Sequence, residues 1–568
     1  MTETRSSSGT ILLLLALALV PFVYLCGLLP VGSSTEAREL LVIDTILRDH
    51  AWLLPLRNGQ VPSKPPLYHW LNAIISFPVG AASVWLARLL SALLGGLTVY
   101  STALIADAVG GRRPRLTLLS AALLLSTYGF VKLMGEARVD MLFAFLNTLA
   151  MFIVLRRFVP DFTSRTGRLI PLEDLDLNLF YAICGISVLA RGPLGIVLPL
   201  LSLGAVLIYT AGFRAAVVYL LRPRAGWFIA AAIFLPWYCS AFFRGGDAFI
   251  NRQLIFENMR RFFGGEQVNT EVWWFYLPSL LRTAFPVSLL FLIFHRRLRD
   301  PQARIISIWF WTGFLFFSLA SGKRHSYLLP LYPACAVFAA LYLEQWLSRL
   351  SDRSGERLRS IARALNPGTI FAGAILVLEA LRVFDEFHNP AVLNAKISFN
   401  LILVRTELLL SACGVVMLAL SMLPSARAYY RSPVLSWSAI LIVFYAAILL
   451  GDGFKNQLKE YPAQSAALAA AIPANQKLVV MKSEWDESFD VLLYYLKRPV
   501  IVHPPDAQPL PGLLLASRSW IDTQRVKWVQ AGWSMQERLK LSSSYDRVLG
   551  RVEREKILLE LVRSGPRQ

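Results

Sequence analysis

Acidic charge is scarce in this chain. Asp and Glu total 37 against 57 Lys and Arg, and all charged residues together make up 17%. A soluble enzyme of this length carries a more polar surface than that. Histidine numbers only 6 and cysteine 5. No CxxC occurs, and no His/Cys/Asp cluster has zinc spacing, which argues against a disulfide framework or a structural metal. Cys26, Cys184, Cys239, Cys335 and Cys413 all fall within apolar runs and read as buried small side chains. Phosphate-loop, GxGxxG and GxSxG motifs are absent too, so the nucleotide and hydrolase chemistries they serve have no footing. No internal repeat or low-complexity tract is visible.

What the chain has instead is apolar length. Its composition is 55% hydrophobic, with many runs of about 18 residues or more, the length that crosses a bilayer as helix. Only helices and closed barrels satisfy their backbone there. Thirteen candidate spans are read, over 10–30, 81–109, 115–134, 138–156, 177–190, 193–211, 226–243, 273–295, 302–320, 326–347, 367–385, 400–423 and 433–451. The first is long and lacks a clear cleavage site, so it reads as an uncleaved span. The break between the fifth and sixth rests on "ARGP". Beyond 452 the pattern changes: "KLVVMK" and "PVIVH" read as strands, with "ESFDVLLYYLKR" as an amphipathic helix between them. The expected fold is thus a polytopic α-helical membrane protein of about 13 spans over 1–451, with a small soluble α/β domain over 452–568.

Arginine-rich loops fix the expected orientation. "GGRRPR", "RRFVPDFTSRTGR", "FRAAVVYLLRPR", "HRRLRD", "SRLSDRSGERLRSIAR" and "PSARAYYR" fall on one side of a thirteen-span chain, which is then cytoplasmic. The N-terminus is expected inside and the C-terminal domain outside. The net charge of +20 follows from such loops, and no basic run is interleaved with aromatics as a nucleic-acid groove requires.

Some cations run against that trend. Arg38, Lys64, Arg138, Arg191, Arg260, Arg261, Lys323, Arg324 and His325 all fall in the outer loops. Each alone is as well explained by snorkelling to a headgroup. As a set, they point to an anionic ligand at the outer face, and a lipid-linked phosphate suits forked arginines and a point-charge lysine.

Individual stretches carry two readings each. "EARELLVIDTILRDH" places Leu40, Ile43 and Leu47 on one face and reads as a helix lying along the membrane surface. Glu36 at its start is either a general base or, with Ser33, a capping box; local grounds favour the cap. Lys64 in "PSKPPLYHW" is held out of helix by two prolines, either as a rigid cation or as part of a proline break anchored by Tyr68, His69 and Trp70. In "GEARVD", Asp140 opens an apolar run, so it is a functional candidate or an ordinary helix-start carboxylate. "IFENMRRFFGGEQVNTEVWWFYLP" offers Glu257 and Arg261 to a sugar or lipid, while Trp273, Trp274 and Tyr276 read as an interfacial belt.

In order along the chain, "TEAREL", "DHAWLLPLRNGQVPSKPPLYHWL", "GEARVD", "LARGPLGIVLP", "RRFF" and "GKRHSYLLPLYP" resemble the aminoarabinose (lipid A) transferase and protein O-mannosyltransferase group of membrane glycosyltransferases, which share the GT-C fold. The resemblance covers most of 10–450. It implies an undecaprenyl or other polyprenyl phosphate sugar donor, a lipid A, lipopolysaccharide or other envelope acceptor at the periplasmic face of the bacterial inner membrane, and inversion at the anomeric carbon. By that likeness Lys64 binds the donor phosphate, with Arg261, Lys323, Arg324 and Tyr327 near it. Glu36 and Asp140 are the catalytic candidates. Arg38, Arg138, Arg191, Glu257 and His325 are expected to contact substrate. Two positions depart from the group: Thr35 stands where Asp is usual, and Ser63 where Glu is frequent. No metal or other cofactor is required by these residues, although two carboxylates can hold a divalent ion. The rival readings are a flippase or transporter of lipid-linked sugars, a protein O-glycosyltransferase, and a non-catalytic scaffold whose outer domain is the functional part.

Overall fold

The structure is a computed structural model. It describes residues 27, 29–353, 456 and 459–563, apart from 112, 164–173, 223, 266–269, 286, 296–299, 483–487, 505–509, 544–545 and 547–554. The expected spans at 367–385, 400–423 and 433–451, all but the last residues of that at 10–30, and Cys26 and Cys413 lie outside the described residues.

After a short coil come helices α1 (Ser34–Asp49) and α2 (Leu67–Ser76), then the long α3 (Val84–Gly110). Ser83 caps α3 by accepting from the Leu86 N–H, the usual remedy for the free amides of a helix start. The run expected as one span at 115–134 is broken into α4 (Pro114–Leu125) and α5 (Tyr128–Met134), which meet at 69°. Ser126 and Thr127 cause the break: both hydroxyls donate back to the Leu123 carbonyl, which competes with continued helix. Helices α6 (Val139–Thr163), α7 (Asp174–Arg191), α8 (Leu194–Ala211), α9 (Phe213–Leu221) and α10 (Arg224–Phe249) follow. The "ARGP" turn is where the sequence placed it. Gly192 adopts φ +74°, and a Cβ on Gly195 would come within 2.3 Å of the Ser187 backbone, so only glycine lets α8 start so close to α7.

Helix α10 does not stop near 243 as expected. It kinks at Gly246 and continues as a π-helical segment, Ile250–Arg260, and one further turn to Phe263. What reads in sequence as a polar loop is therefore an extended helix end that carries Arg252, Glu257 and Arg261. Next come α11 (Tyr276–Thr283), α12 (Val287–His295), α13 (Pro301–Leu319), a 3-10 segment His325–Leu331 and α14 (Tyr332–Arg353). Six of the described helical stretches are long and apolar enough to cross a membrane, or seven with the bent α4–α5 pair. Helix α14 is the most enclosed of them, with Ala334 through Ala340 fully buried. Cys184 and Cys335 are buried as expected, but Cys239 is exposed, because α10 turns most of its surface outward.

The C-terminal residues fold into α15 (Tyr461–Ala471), β1 (Leu478–Met481), α16 (Asp490–Leu496), β2 (Val500–His503), β3 (Gly512–Ser517), α17 (Arg518–Gln530), β4 (Trp533–Leu541) and β5 (Lys556–Arg563). The sheet order is β2-β1-β3-β5-β4, parallel across its first three strands and antiparallel at β5 and β4. Apolar strands such as Leu478–Met481, buried throughout, suit a sheet covered on both faces. Helix α16 packs on α1, which also packs on α2. So α1 is enclosed and does not lie along a lipid surface as expected: Val42 and Ile46 are as buried as Leu40 and Ile43.

Candidate functional site

Six separate stretches bring charge to one narrow cavity. It is lined by Thr35 and Arg38 of α1, Lys64 of the proline-rich coil, Arg138 and Asp140 at the start of α6, Arg191 at the end of α7, Arg261, and Arg324, Ser326 and Tyr327 of the stretch before α14. Six cations and one carboxylate share this wall. Of the twelve expected site residues, eight line it: Arg38, Lys64, Arg138, Asp140, Arg191, Arg261, Arg324 and Tyr327.

Two ion networks hold the cations in place. Lys64 Nζ donates to Glu257 Oε2 at 2.6 Å, and Arg261 donates to Glu257 Oε1 at 3.1 Å. Glu257 and Arg261 are one helical turn apart, so the π-helical extension presents both side chains together. Arg261 also donates to the Tyr327 hydroxyl at 3.0 Å. In the second network, Asp140 Oδ2 accepts from Arg138 at 3.0 Å and Oδ1 accepts from Arg191. Arg138 reaches on to Glu136 at 3.1 Å, and the Arg191 guanidinium stacks over the Tyr327 ring at 5.3 Å. Each Asp140 oxygen keeps a second lone pair that can still accept a proton.

Lys64 titrates unusually. Burial takes its pKa down to about 8, with Arg191 and Arg261 adding to that effect and Glu257 opposing it. An ammonium held among other cations in poor solvent gains most from an incoming anion. Arg38 is fixed differently, by Glu39 at 2.6 Å, and Glu39 also meets His69 Nε2 at 2.6 Å. Burial alone would raise the Glu39 pKa, but Arg38 and His69 together hold it near 2. His69 is therefore a buried partner of Glu39 and not a headgroup anchor.

Four expected site residues lie elsewhere or behind the wall. Glu36 is 2% exposed, and its oxygens accept from Arg88 at 2.7 and 2.8 Å and from the Ala137 N–H at 3.0 Å. Ser33 makes no side-chain cap there, so the capping box is absent as well. Glu257 stands behind Lys64. Lys323 turns away and donates to the backbone carbonyls of Ala320 at 2.5 Å and Glu271 at 3.3 Å. His325 bonds Ser279 at 2.7 Å and stacks on Phe275. Trp273 and Trp274 are exposed, but Tyr276 is buried and accepts from the Arg324 N–H, so it does not belong to an interfacial belt. Thr35 and Ser326 were missed in the sequence as site residues; each neighbours a charged candidate but carries no charge of its own. Among the described residues no group of three or more His, Cys, Asp or Glu side chains is placed to hold a metal ion.

Residues 50–245 match the family model of dolichyl-phosphate-mannose-protein mannosyltransferases. Two undecaprenyl phosphate-alpha-4-amino-4-deoxy-L-arabinose arabinosyl transferases are similar in sequence. That of Pseudomonas paraeruginosa is 28% identical over 61% of this chain, and one from Pseudomonas fluorescens is 29% identical over 42%. These alignments span 58% and 41% of the relatives' own length. ArnT from Cupriavidus metallidurans, solved bound to undecaprenyl phosphate, superposes with a TM-score of 0.69 at 17% identity, covering 99% of this chain and 100% of that one. The chain is similar to the aminoarabinose transferase and protein mannosyltransferase group in sequence and in fold. The part that matches the mannosyltransferase model contains Lys64, Arg138, Asp140 and Arg191, while Arg261, Arg324 and Tyr327 lie beyond it. The shared fold extends over these residues as well.

Proposed function

We propose that this chain is an inverting membrane glycosyltransferase. It takes a sugar from an undecaprenyl or other polyprenyl phosphate and passes it to lipid A, lipopolysaccharide or another envelope acceptor. The observation that carries this reading is a cavity wall of six cations to one carboxylate, in a chain similar to arabinosyl transferases that use undecaprenyl phosphate sugars. We place the site at the periplasmic face of the inner membrane, in a thirteen-span chain with a cytoplasmic N-terminus and a periplasmic α/β domain over 452–568, as the arginine-rich loops imply.

In this reading the acceptor oxygen attacks the anomeric carbon from the side opposite the phosphate. A bond forms there as the carbon–oxygen bond to phosphate breaks, and the electron pair leaves on the phosphate oxygen. Lys64 and Arg261 receive that charge, with Arg324 and the Tyr327 hydroxyl beside them. Pre-placed cations stabilise a developing anion without reorganising. Asp140 is the carboxylate placed to take a proton from the acceptor, with Arg138 and Arg191 fixing its orientation. Glu36 has its oxygens committed to Arg88 and Ala137, and we assign it to holding α1. The gathering of six cations at one cavity favours this reading over a flippase.

The test uses the full chain in proteoliposomes with an undecaprenyl phosphate sugar and lipid A. Transfer is expected in the parent. Asp140→Asn should lower it about 100-fold while binding of undecaprenyl phosphate stays within about twofold. Movement of the lipid-linked sugar across the bilayer without transfer would establish the transporter reading instead.

A further inference from the structure

Among the described residues, the C-terminal part of the chain grips the cavity wall at helix α1. Before it, the Tyr495 hydroxyl accepts from the Val31 N–H at 2.7 Å and donates to the Val31 carbonyl at 3.2 Å. Lys459 Nζ donates to the Gly32 carbonyl at 2.5 Å. After it, Arg57 donates to Asp490 at 3.1 Å, and Lys482 donates to the other oxygen of Asp490 at 3.3 Å. Arg57, Lys482 and Asp490 are all but fully buried, with side-chain exposures of 1%, 0% and 0%. Between these two holds, α16 packs along α1. On its other side α1 is tied to α3 through Glu36–Arg88 and to α2 through Glu39–His69. Thr35 and Arg38 sit in the first turn and a half of α1 and face the cavity. Lys64 and Arg261 are held by a different set of contacts, through Glu257.

We propose that the C-terminal α/β unit positions the active centre, and that Asp490 is the positioning residue through which it does so. By neutralising Arg57 and Lys482 it seats the loop after α1, while Tyr495 seats the loop before it, and the two fix where Thr35 and Arg38 meet the substrate. Without Asp490 two buried cations lose the counter-ion they share, so the seat loosens. Lys64 follows Arg57 in that same loop, but it has an anchor of its own in Glu257, which also holds Arg261. The unit therefore governs the rate of the transfer step and leaves donor binding alone. This inference rests on the function proposed above for its kinetic arm, but its structural arm stands without it.

The experiment uses the full chain in nanodiscs, with a Thr35→Cys reporter in a background lacking the five native cysteines. Asp490→Asn is expected to raise the rate of maleimide labelling at the reporter about threefold or more, as local opening becomes easier. In the chain without the reporter, Asp490→Asn should lower kcat about tenfold or more, with KM for the donor and the Kd of undecaprenyl phosphate within about twofold. A role in stability alone predicts a lower Tm with unchanged kcat per folded molecule. If Asp490→Asn does not fold, Tyr495→Phe serves, with changes in the same direction of about threefold. Unchanged labelling and unchanged kcat in the variant that folds, or donor binding lost in step with transfer, overturns the proposal. A parent that transfers no sugar sinks the proposed function and leaves the labelling rate to decide the positioning.

Discussion

Glu36 and Lys64 lie in the same long loop and each ends in a buried ion pair, yet the two pairs are built differently. Glu36 faces one arginine, Arg88, through two hydrogen bonds, and a backbone amide takes up further capacity. Its charge is balanced and its geometry is closed. Lys64 faces Glu257, but Glu257 is shared with Arg261, and Arg191 and Tyr327 crowd the same space. That cluster keeps an excess of positive charge. Among the described residues, Arg38, Lys64, Arg138, Arg191 and Arg261 share four carboxylates, Glu39, Glu136, Asp140 and Glu257. A balanced buried pair is scaffold, because nothing further is gained by adding an ion. An unbalanced cluster is costly until an anion arrives, and that cost marks a binding site.

The largest expected effect comes from breaking the unbalanced side. Lys64→Ala removes the cation we propose for the leaving phosphate, so transfer should fall about 100-fold or more, as for other pre-placed charge stabilisers. The Kd of undecaprenyl phosphate, measured by calorimetry, should weaken by at least about tenfold. Equal binding in parent and variant would put the phosphate elsewhere. Breaking the balanced side should look different. Glu36→Gln leaves Arg88 buried without its counter-ion and should cost about 3 kcal/mol of stability, read as a lower Tm. Transfer per folded molecule should stay within a fewfold of the parent. A 100-fold loss of kcat at unchanged Tm would instead make Glu36 the base.

The pH dependence sharpens the same contrast. With its pKa near 8, Lys64 is charged below that pH and neutral above it. A bound phosphate favours the charged form, and the phosphate itself is already fully ionised above pH 7 or so. Affinity for undecaprenyl phosphate should therefore hold up to about pH 8 and decline above it. In Lys64→Arg the decline should be smaller over that range, since a guanidinium keeps its proton. A parental affinity flat from pH 7 to 9.5 would remove Lys64 from the phosphate site.

Much of this site was legible because membrane spans are punctuated by short polar loops, and loops are where charge must collect. "KPP", "ARVD" and "ARGP" each gave a wall residue for that reason. What sequence patterning missed is long-range or conformational. The extension of α10 to Phe263 needs a π-helical segment after a glycine kink, and no periodicity of 3.6 announces it. The enclosure of α1 depends on α16, more than 440 residues away, and buried Val42 and Ile46 on its second face were the only local sign. Nor could the roles of adjacent bases be told apart. Lys323, Arg324 and His325 are equivalent as a basic triplet, and only the turn into the 3-10 segment at His325 separates them.

That triplet supplies the smallest expected effect. Arg324 lines the cavity while Lys323 staples its own loop, bonding Ala320 and Glu271 beside the backbone bridge between Thr270 and Gly322. Burial lowers the Lys323 pKa, with the Glu271 charge opposing it. Lys323→Met keeps the aliphatic stem and loses two hydrogen bonds to backbone, worth about 1 kcal/mol each. Stability should drop slightly, and undecaprenyl phosphate affinity should stay within about twofold. Arg324→Met, one residue along, should weaken that affinity about tenfold at nearly the same Tm. If the two variants lose affinity equally, the phosphate reads the triplet by its overall field and not by the direction each side chain takes, and the contrast between closed and open charge does not extend to this loop.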